Sequence, residues 1–314
     1  MRKKAIIISV KGTTLTKKEK LLLSKEKPWG LILFKRNIKS IQQIKKLIRD
    51  IKKIVKDNNF PILIDEEGST VSRLRDIINH KFDANYFGKI YKLEKKIATA
   101  LYKNYLKALC NNLRNIGINI NTIPVLDVLR NNTNVIIGKR SFSKDKNIVR
   151  ELGKITINEC HFNKIASVIK HIPGHGCSTI DSHRKMPKVN LKIRTLNKID
   201  FYPFKSTYSK LAMVAHILYT KIDSKNVSTF SKKIIKEVIR KRIGFKGIIM
   251  SDDISMKALK YDLITNAKKS LLAGCNLVLY CAGNIKDNLK LIKSVPYIDQ
   301  FTAKKTSEIY KILR

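Results

Sequence analysis

Three of the six histidines in this 314-residue sequence lie within one thirteen-residue window. The window runs from "HIPGHG" at 171–176 to "DSH" at 181–183. Pro and Gly interrupt regular helices, so we expect a folded-back loop here. Imidazole is the side chain whose ordinary pKa lies nearest neutrality, and enzymes use it to donate and accept protons. The window is therefore a candidate for acid–base chemistry.

Asp181 and His183 are spaced so that a carboxylate can pair with an imidazole and stabilise its protonated form. The simpler interpretation is an Asx-turn with an exposed histidine. A metal site formed with His171 and His175 is another alternative, but zinc proteases place such a histidine pair on a helix, and Ile-Pro-Gly separates this pair. Cys177 could be a thiol nucleophile, although no oxyanion-forming sequence surrounds it. We expect no metal.

Short apolar segments rich in β-branched residues predict eight buried strands. They are AIIISV (5–10), GLILF (30–34), PILID (61–65), INTIPVLD (120–127), IASVIKH (165–171), LAMVAH (211–216), GIIMSD (247–252) and NLVLYCA (276–282). Helical patterns alternate with them, most clearly at 38–56, 93–117, 146–163, 194–210, 231–243 and 263–273, and several end at a Gly. This alternation predicts one α/β domain over residues 1–314, a single (β/α)8 barrel. A doubly wound sheet is the alternative, but "VKGTTLT" after the first strand is no dinucleotide-binding loop.

Polar side chains follow five of the predicted strands. They are Asp65 with Glu66 and Glu67, Asp127, Lys170 with His171, His216, and Asp252 with Asp253. In a (β/α)8 barrel these strand ends converge on the rim that carries the active site. Asp253 can be explained as the N-cap of a helix that starts at "ISMKALK", which leaves Asp252 for chemistry. The grouping predicts acid–base and nucleophilic catalysis on a polar substrate.

The chain carries 65 Lys and Arg against 24 Asp and Glu, a formal net charge of +41. Such an excess binds polyanions without specificity. The basic residues are spread over the polar faces of helical segments such as 40–56 and 231–244, and no nucleic-acid-binding motif accompanies them. We therefore expect a solvated basic surface and no specific nucleic-acid partner. A non-catalytic, polyanion-binding barrel is the alternative from another class of function.

The N-terminal "MRKKAIIISVKG" resembles a signal peptide, but its apolar run has six residues, fewer than the usual ~7–15, and no cleavage site follows. No apolar stretch reaches the ~18 residues of a membrane span. The five cysteines are odd in number and form no CxxC pair, which is typical of reduced thiols. We expect a cytoplasmic monomer with no membrane partner.

Several segments resemble the motifs of glycoside hydrolase family 3. "KHIPGHGCSTIDSHRKMP" (170–187) is similar to the family's KHFPGHG…DSH…P loop, and "GFKGIIMSDDISMKAL" (244–259) is similar to its nucleophile segment. "ILIDEEGSTVSRL" (62–74), "IGKRSF" (137–142) and "GLILFKRN" (30–37) resemble three further blocks of the family. The pattern fits the bacterial single-domain β-N-acetylhexosaminidases that recycle peptidoglycan fragments.

The resemblance implies a retaining exo-β-N-acetylglucosaminidase that removes terminal GlcNAc from 1,6-anhydro-muropeptides, a small carbohydrate substrate, with no metal or organic cofactor. It implies Asp252 as the nucleophile of a covalent glycosyl-enzyme, and Asp181 with His183 as the acid/base dyad. The implied sugar contacts are Asp65, Arg73, Arg140, Lys170 and His171, and the implied pocket-shaping residues are His175 and His216. A β-glucosidase and a β-N-acetylglucosaminide phosphorylase of the same family are the alternatives.

The sequence departs from the family pattern after the third strand. The family's EGGR run is here EGST, so Ser69 and Thr70 replace its second glycine and its arginine. Arg73 remains as the expected sugar-binding arginine. The replacement puts the shape of this loop in doubt.

Overall fold

Eight parallel strands close into a barrel in the computed structural model, which describes residues 2–181 and 185–314. The strands are β1 (Lys4–Ile8), β2 (Pro28–Leu33), β3 (Ile62–Ile64), β4 (Ile120–Asn121), β5 (Ala166–Ile172), β6 (Leu211–Val214), β7 (Ile248–Asp253) and β8 (Leu277–Leu279). Each strand pairs with its neighbours in chain order, and β8 pairs with β1. A separate pair of short parallel strands joins Lys188–Val189 to Leu218–Tyr219. The prediction of a (β/α)8 barrel is confirmed.

Helices surround the barrel. They are α1 (Lys17–Glu26), α2 (Ile41–Val55), α3 (Ala84–Leu93), α4 (Lys95–Ile116), α5 (Lys146–Phe162), α6 (Ile193–Lys198), α7 (Leu263–Ala273), α8 (Ile285–Ser294) and α9 (Gln300–Ile312), with a π-helix at Ile234–Ile243. Gly117, Gly244 and Gly274 end three of these helices with positive φ values of 100°, 79° and 114°. These are the left-handed C-caps that glycine favours. None of the described helices is long and apolar enough to cross a membrane.

The strands are buried on both faces, which explains their continuous apolar sequences. In β1, Ile7 belongs to the cluster inside the barrel, whereas Ile6 and Ile8 pack in the cluster between strands and helices. The inner cluster continues to the amino-terminal end of the barrel, where the fully buried Trp29 donates a hydrogen bond to Thr306 Oγ1 of α9 at 2.8 Å. The described barrel interior is thus a packed apolar core.

Two of the predicted helices are wrong. The helix expected at 194–210 ends at Lys198, because Pro203 has no N–H to continue it. The segment "ISMKALK" forms turns, since the Asp253 carboxylate accepts from Ser255 N at 3.1 Å and from Cys281 N at 3.2 Å. The next helix, α7, begins only at Leu263.

Gly176→Ala tests the packing of the loop after β5. An added Cβ would lie 1.8 Å from the backbone oxygen of Val128. Only backbone displacement relieves such a contact, so the substitution should lower the free energy of unfolding by about 1–3 kcal/mol or more. Gly12→Ala is the control, because its Cβ would meet nothing within 4 Å, and its effect should stay within about 0.5 kcal/mol. Urea unfolding measures both variants, and equal stabilities would contradict this packing.

Candidate active site

A cavity of about 450 Å³ opens among the carboxyl-terminal ends of the barrel strands. Its polar lining consists of Asp65, Glu67, Arg73, Arg140, Lys170, His171, His175, Asp252 and Asp253. Three lining residues, Ile32, Met213 and Leu279, belong to the buried cluster inside the barrel. The barrel core therefore closes the cavity on the inner side, and the size suits a small ligand that enters from the rim.

Five charged side chains of alternating sign form one continuous network in the cavity. Arg73 lies 2.9 Å from Asp65, and Lys170 joins Asp65 at 3.1 Å to Glu67 at 2.6 Å. Arg140 completes the network by donating to both oxygens of Glu67, from Nε at 2.7 Å and from NH2 at 2.8 Å. The network holds three cations against two carboxylates, so it carries a net positive charge.

This network keeps both of its carboxylates ionised. Burial by itself would raise the pKa of Asp65, but the charges of Lys170 and Arg73 outweigh it and hold that pKa well below its usual value. Glu67 is affected in the same way, because Arg140 and Lys170 overcome its burial and lower its pKa to about 2. The network therefore presents fixed charges to a ligand, with acceptors and donors suited to sugar hydroxyl groups.

Asp127 fixes the histidines that follow β5. It is fully buried, and its Oδ2 lies 2.6 Å from His171 Nδ1, while its Oδ1 accepts from the backbone N–H of His175 at 2.6 Å. Burial favours the neutral carboxyl, yet His171 and His175 lower the pKa of Asp127. An ionised carboxylate only accepts hydrogen bonds, so His171 Nδ1 carries a proton. The other nitrogen of His171 lies 3.5 Å from Arg140 NH2.

Two further described histidines near the site, His175 and His216, are buried and uncharged at neutral pH. Burial lowers the pKa of His175, which lines the cavity, to about 4. His216 does not line the cavity, although it was predicted to shape the pocket. It is fully buried, with Nδ1 2.6 Å from Thr229 Oγ1 and Nε2 3.0 Å from the backbone oxygen of Asp253. Burial lowers its pKa as well. Any influence of His216 on the cavity is therefore through the end of β7.

Asp252 and Asp253 both line the cavity but have different partners. Asp252 Oδ1 accepts from the backbone N–H of Asp253 at 2.8 Å. The Asp253 carboxylate is bonded to the turn at Ser255 and to Cys281 N of the segment after β8. Burial raises the pKa of Asp253, and the neighbouring Asp252 charge adds to this effect. Asp253 thus fixes the end of β7.

Of the predicted dyad of Asp181 and His183, the structure describes Asp181. Asp181 is the last described residue before position 185, and its backbone oxygen accepts from Lys185 N at 3.1 Å. His183 lies outside the described residues, so its role and that of the dyad stay predictions.

The loop that leads to Asp181 is held by the segment after β4. Asn134 donates from its backbone N–H to Ser178 O and from Nδ2 to Thr179 O, both at 3.0 Å. Thr133 Oγ1 donates to Gly176 O at 2.5 Å. The same segment continues to Ile136, Ile137 and Arg140 of the cavity, so the two parts of the site are connected by direct hydrogen bonds.

Two functional carboxylates, Glu67 and Asp127, had no assigned role in the sequence. Glu67 follows Asp65 by two residues, the spacing that places side chains on the same side of an extended segment. That spacing could have identified it. Asp127 follows the fourth predicted strand, but only its contact with His171, 44 residues away, reveals its function.

Ser69 and Thr70, the two residues that depart from the family motif, are on the loop beside the cavity. Neither Ser69 nor Thr70 lines it, and Thr70 is exposed. Ser69 N donates to Phe82 O at 2.9 Å. The loop is also held by the buried Glu66, which accepts from the backbone N–H groups of Arg73 at 2.8 Å and of Leu74 at 3.0 Å. Arg73 is therefore positioned independently of the two replaced residues.

Two observations from residues 2–181 and 185–314 concern the metal and thiol alternatives. There, no group of three or more His, Cys, Asp or Glu side chains could hold a metal ion. Cys177 does not line the cavity, and burial raises the pKa of its thiol well above the usual value. A neutral thiol is a poor nucleophile.

The sequence and the fold relate this chain to known enzymes. The family model of the glycosyl hydrolase family 3 N-terminal domain matches residues 2–306. A β-hexosaminidase of Actinobacillus succinogenes is 34% identical over 309 residues, which cover 94% of this chain and 87% of that protein. A β-hexosaminidase of Bordetella pertussis is 32% identical over 295 residues, which cover 90% and 82%.

Among solved structures, NagZ from Neisseria gonorrhoeae in complex with N-trifluoroacetyl-D-glucosamine matches this chain with a TM-score of 0.89. The two are 28% identical, and the match covers 100% of this chain and 90% of that one. The chain belongs to glycosyl hydrolase family 3, as its motifs predicted, and it is a glycosidase.

Glu67→Gln is expected to destabilise the protein near neutral pH and to lose this effect in acid. The pKa of Glu67 in the folded protein is about 2, below its usual 4.5. Its ionised form therefore adds stability above about pH 4.5, and this contribution is lost as the pH falls towards 2. The full contribution is on the order of 3 kcal/mol. Urea unfolding between about pH 7 and pH 3 measures the difference between wild type and variant.

The control for this measurement is Glu151→Gln. Glu151 pairs with Lys154 at 2.9 Å on the surface of α5, and about half of its side chain is exposed (48%). Exposed pairs contribute at most about 1 kcal/mol, so this variant should follow the wild type at every pH. A stability difference for Glu67→Gln that stays constant down to about pH 3 would contradict the proposed ionisation.

Proposed function

We propose that this protein is a retaining exo-β-N-acetylglucosaminidase that removes terminal GlcNAc from 1,6-anhydro-muropeptides in peptidoglycan recycling. One observation carries the proposal: the Asp252 carboxylate shares a cavity, closed by the barrel core, with a network of fixed charges. A cavity of this form admits the end of a saccharide. The proposal includes a cytoplasmic, monomeric enzyme made of one catalytic domain.

The proposed substrate is supported by the related proteins and by the cavity. The relatives are named β-hexosaminidases, and the neighbouring NagZ structure holds an N-acylated glucosamine analogue. The charged network offers partners for hydroxyl groups. Apolar side chains line the same cavity, among them Phe34, Ile136 and Met256, and they offer contacts to an acetyl methyl group.

The proposed reaction has two steps and uses side chains only. In the first, the Asp252 carboxylate attacks the anomeric carbon while His183, in its protonated form, gives its proton to the glycosidic oxygen. The bond from the anomeric carbon to that oxygen breaks, an ester to Asp252 forms, and the alcohol leaves. In the second, a water molecule gives a proton to His183 and attacks the anomeric carbon, which releases the sugar and restores the Asp252 carboxylate.

The remaining side chains support this reaction without exchanging protons. Asp65, Glu67 and Asp127 stay ionised near neutral pH, and burial keeps His175 neutral. Asp181 is proposed to orient the ring of His183 and to stabilise its charged form. Proton transfer is then assigned to one residue, His183, whose ordinary pKa of about 6.5 suits transfer in both directions.

The experiment that tests the substrate compares 4-nitrophenyl β-GlcNAc with 4-nitrophenyl β-glucoside, each with and without inorganic phosphate. We expect hydrolysis of the GlcNAc substrate that does not depend on phosphate. Faster release from the glucoside would favour the β-glucosidase alternative, and a sugar phosphate product would favour the phosphorylase. Purified GlcNAc-anhydro-muropeptide then tests the natural substrate. No release from either GlcNAc compound would reject the proposal.

Substitutions of Asp252 and His183 test the mechanism. Asp252→Ala should abolish turnover of every substrate, because no glycosyl-enzyme forms. His183→Ala should slow substrates with poor leaving groups by about 10²–10⁴-fold, the usual contribution of general acid–base catalysis. An activated aryl glycoside needs little protonation, so it should show a burst followed by slow turnover. Stopped-flow release of 4-nitrophenol measures the burst.

Asp181→Asn is the matched variant, and it should resemble a milder His183→Ala because it removes the charge that orients the ring. Equal loss on both substrate types without a burst would mean that His183 only binds the substrate. Inhibition of the wild type by a chelator would instead support the metal alternative.

A further inference from the structure

A second and larger cleft, of about 820 Å³, lies at the opposite end of the barrel. Phe245 and Lys246, which precede β7, and Gly274, which precedes β8, line it, so it opens at the amino-terminal ends of these strands. Its walls come from the π-helix, the end of α7, and α9. The cleft shares no residue with the active-site cavity.

The cleft concentrates positive charge beyond the average of this basic protein. Six of its thirteen lining residues are Lys or Arg, and none is Asp or Glu. In the whole chain, 65 of 314 residues are basic. Within residues 2–181 and 185–314, Lys305 is the one cation of the cleft with a carboxylate within 4 Å, that of Glu308 at 2.6 Å. A concave surface of one charge focuses the field on its interior.

Arg240 is fixed in this cleft by neutral groups. Its NH1 donates to the backbone oxygens of Phe245 at 3.0 Å and Gly247 at 2.6 Å, and its NH2 donates to Asn276 Oδ1 at 2.8 Å. The guanidinium also lies 5.7 Å from the ring centre of Phe245 and 5.4 Å from that of Phe301. Burial lowers the pKa of Arg240 to about 10, still far above neutrality. It is thus a partly desolvated cation whose hydrogen bonds go to neutral groups, while the charge of Asp299 acts on it from beyond ion-pair distance.

The floor of the cleft is apolar. Ile235 and Phe245 are buried, and Leu272 and Phe301 remain 71% and 41% exposed. Large apolar side chains surrounded by charges are a common feature of ligand-binding surfaces. The partly exposed ring of Phe301 offers a planar face on which an aromatic ligand stacks.

We propose that this cleft binds a small organic anion with an aromatic body, of the aryl phosphate class. The phosphate group lies among the lysine ammonium groups, and the aromatic body covers Leu272 and Phe301. Charge complementarity selects an anion, and the apolar floor distinguishes such a ligand from inorganic phosphate. The site is separate from the active-site cavity, so the inference does not rest on the proposed function.

Calorimetric titration with 1-naphthyl phosphate, inorganic phosphate and 1-naphthol at physiological ionic strength tests the class of ligand. We expect saturable binding of 1-naphthyl phosphate, at least tenfold tighter than that of either fragment, because only this compound meets both parts of the cleft. Phe301→Ser should weaken the binding of 1-naphthyl phosphate and leave the affinity for inorganic phosphate unchanged. Equal affinities for 1-naphthyl phosphate and inorganic phosphate would overturn the inference.

A matched pair of charge variants tests the location. Lys236→Gln with Lys304→Gln removes two charges from the cleft, and Lys46→Gln with Lys53→Gln removes two exposed charges from α2. Loss of charge-assisted contacts in the cleft variant should lower the affinity for 1-naphthyl phosphate by about tenfold or more. The α2 variant should bind like the wild type, and glycosidase activity should be unchanged in both. If both variants bound 1-naphthyl phosphate equally well, the binding would be due to the overall positive charge of the protein or to another site. That result would overturn the inference.

Discussion

The site depends on one interaction, the buried ion-pair network of Arg73, Asp65, Lys170, Glu67 and Arg140. Removing charges from water costs several kcal/mol per ion, and mutual attraction offsets this only when the geometry is good. Here each carboxylate has two cations within about 3 Å, and Arg140 binds Glu67 through two nitrogens. Loss of one member would leave its buried neighbours with fewer opposite charges to offset their desolvation. The network therefore requires all of its strands and loops to be in place.

The three acidic residues after β3 have two different roles, because their side chains point in alternating directions. Side chains of an extended segment alternate in direction, so Asp65 and Glu67 reach the cavity while Glu66 lies on the other side. Glu66 is buried and accepts from the backbone N–H groups of Arg73 and Leu74. The middle carboxylate thus holds the loop whose arginine pairs with the first one. One short acidic sequence supplies both the ligand contacts and the support for them.

The sequence predicts the barrel and its rim well, because both follow from local patterns. Continuous apolar runs mark strands that are buried on both faces, and polar residues mark the points where these strands leave the core. The error at "ISMKALK" has a non-local cause. Asp253 is bound to Cys281 N, 28 residues away, and this contact holds a turn where the local sequence favours a helix.

Non-local contacts also explain which site residues could not be assigned. Glu67 acts through Arg140, 73 residues along the chain, and Asp127 acts through His171, 44 residues along. Their residue types and positions at strand ends were visible in the sequence. Their partners were not, because the partners come from other strands and loops that only the closed barrel brings together.

The same contacts restrict which histidine can exchange protons. Desolvation disfavours the charged imidazole of His175 and of His216, and the proton on His171 Nδ1 is bound to the ionised Asp127. These three histidines are thus suited to hold the shape and the charge of the site. A general acid needs a proton that it releases and regains during each cycle. This requires an imidazole whose charged form is not disfavoured by burial and whose proton is not bound to a buried carboxylate. The sequence supplies one more histidine in this region, His183, on the loop that Asn134 holds at Ser178 and Thr179. We propose proton transfer by His183 on this ground, since burial and pairing occupy the other three histidines.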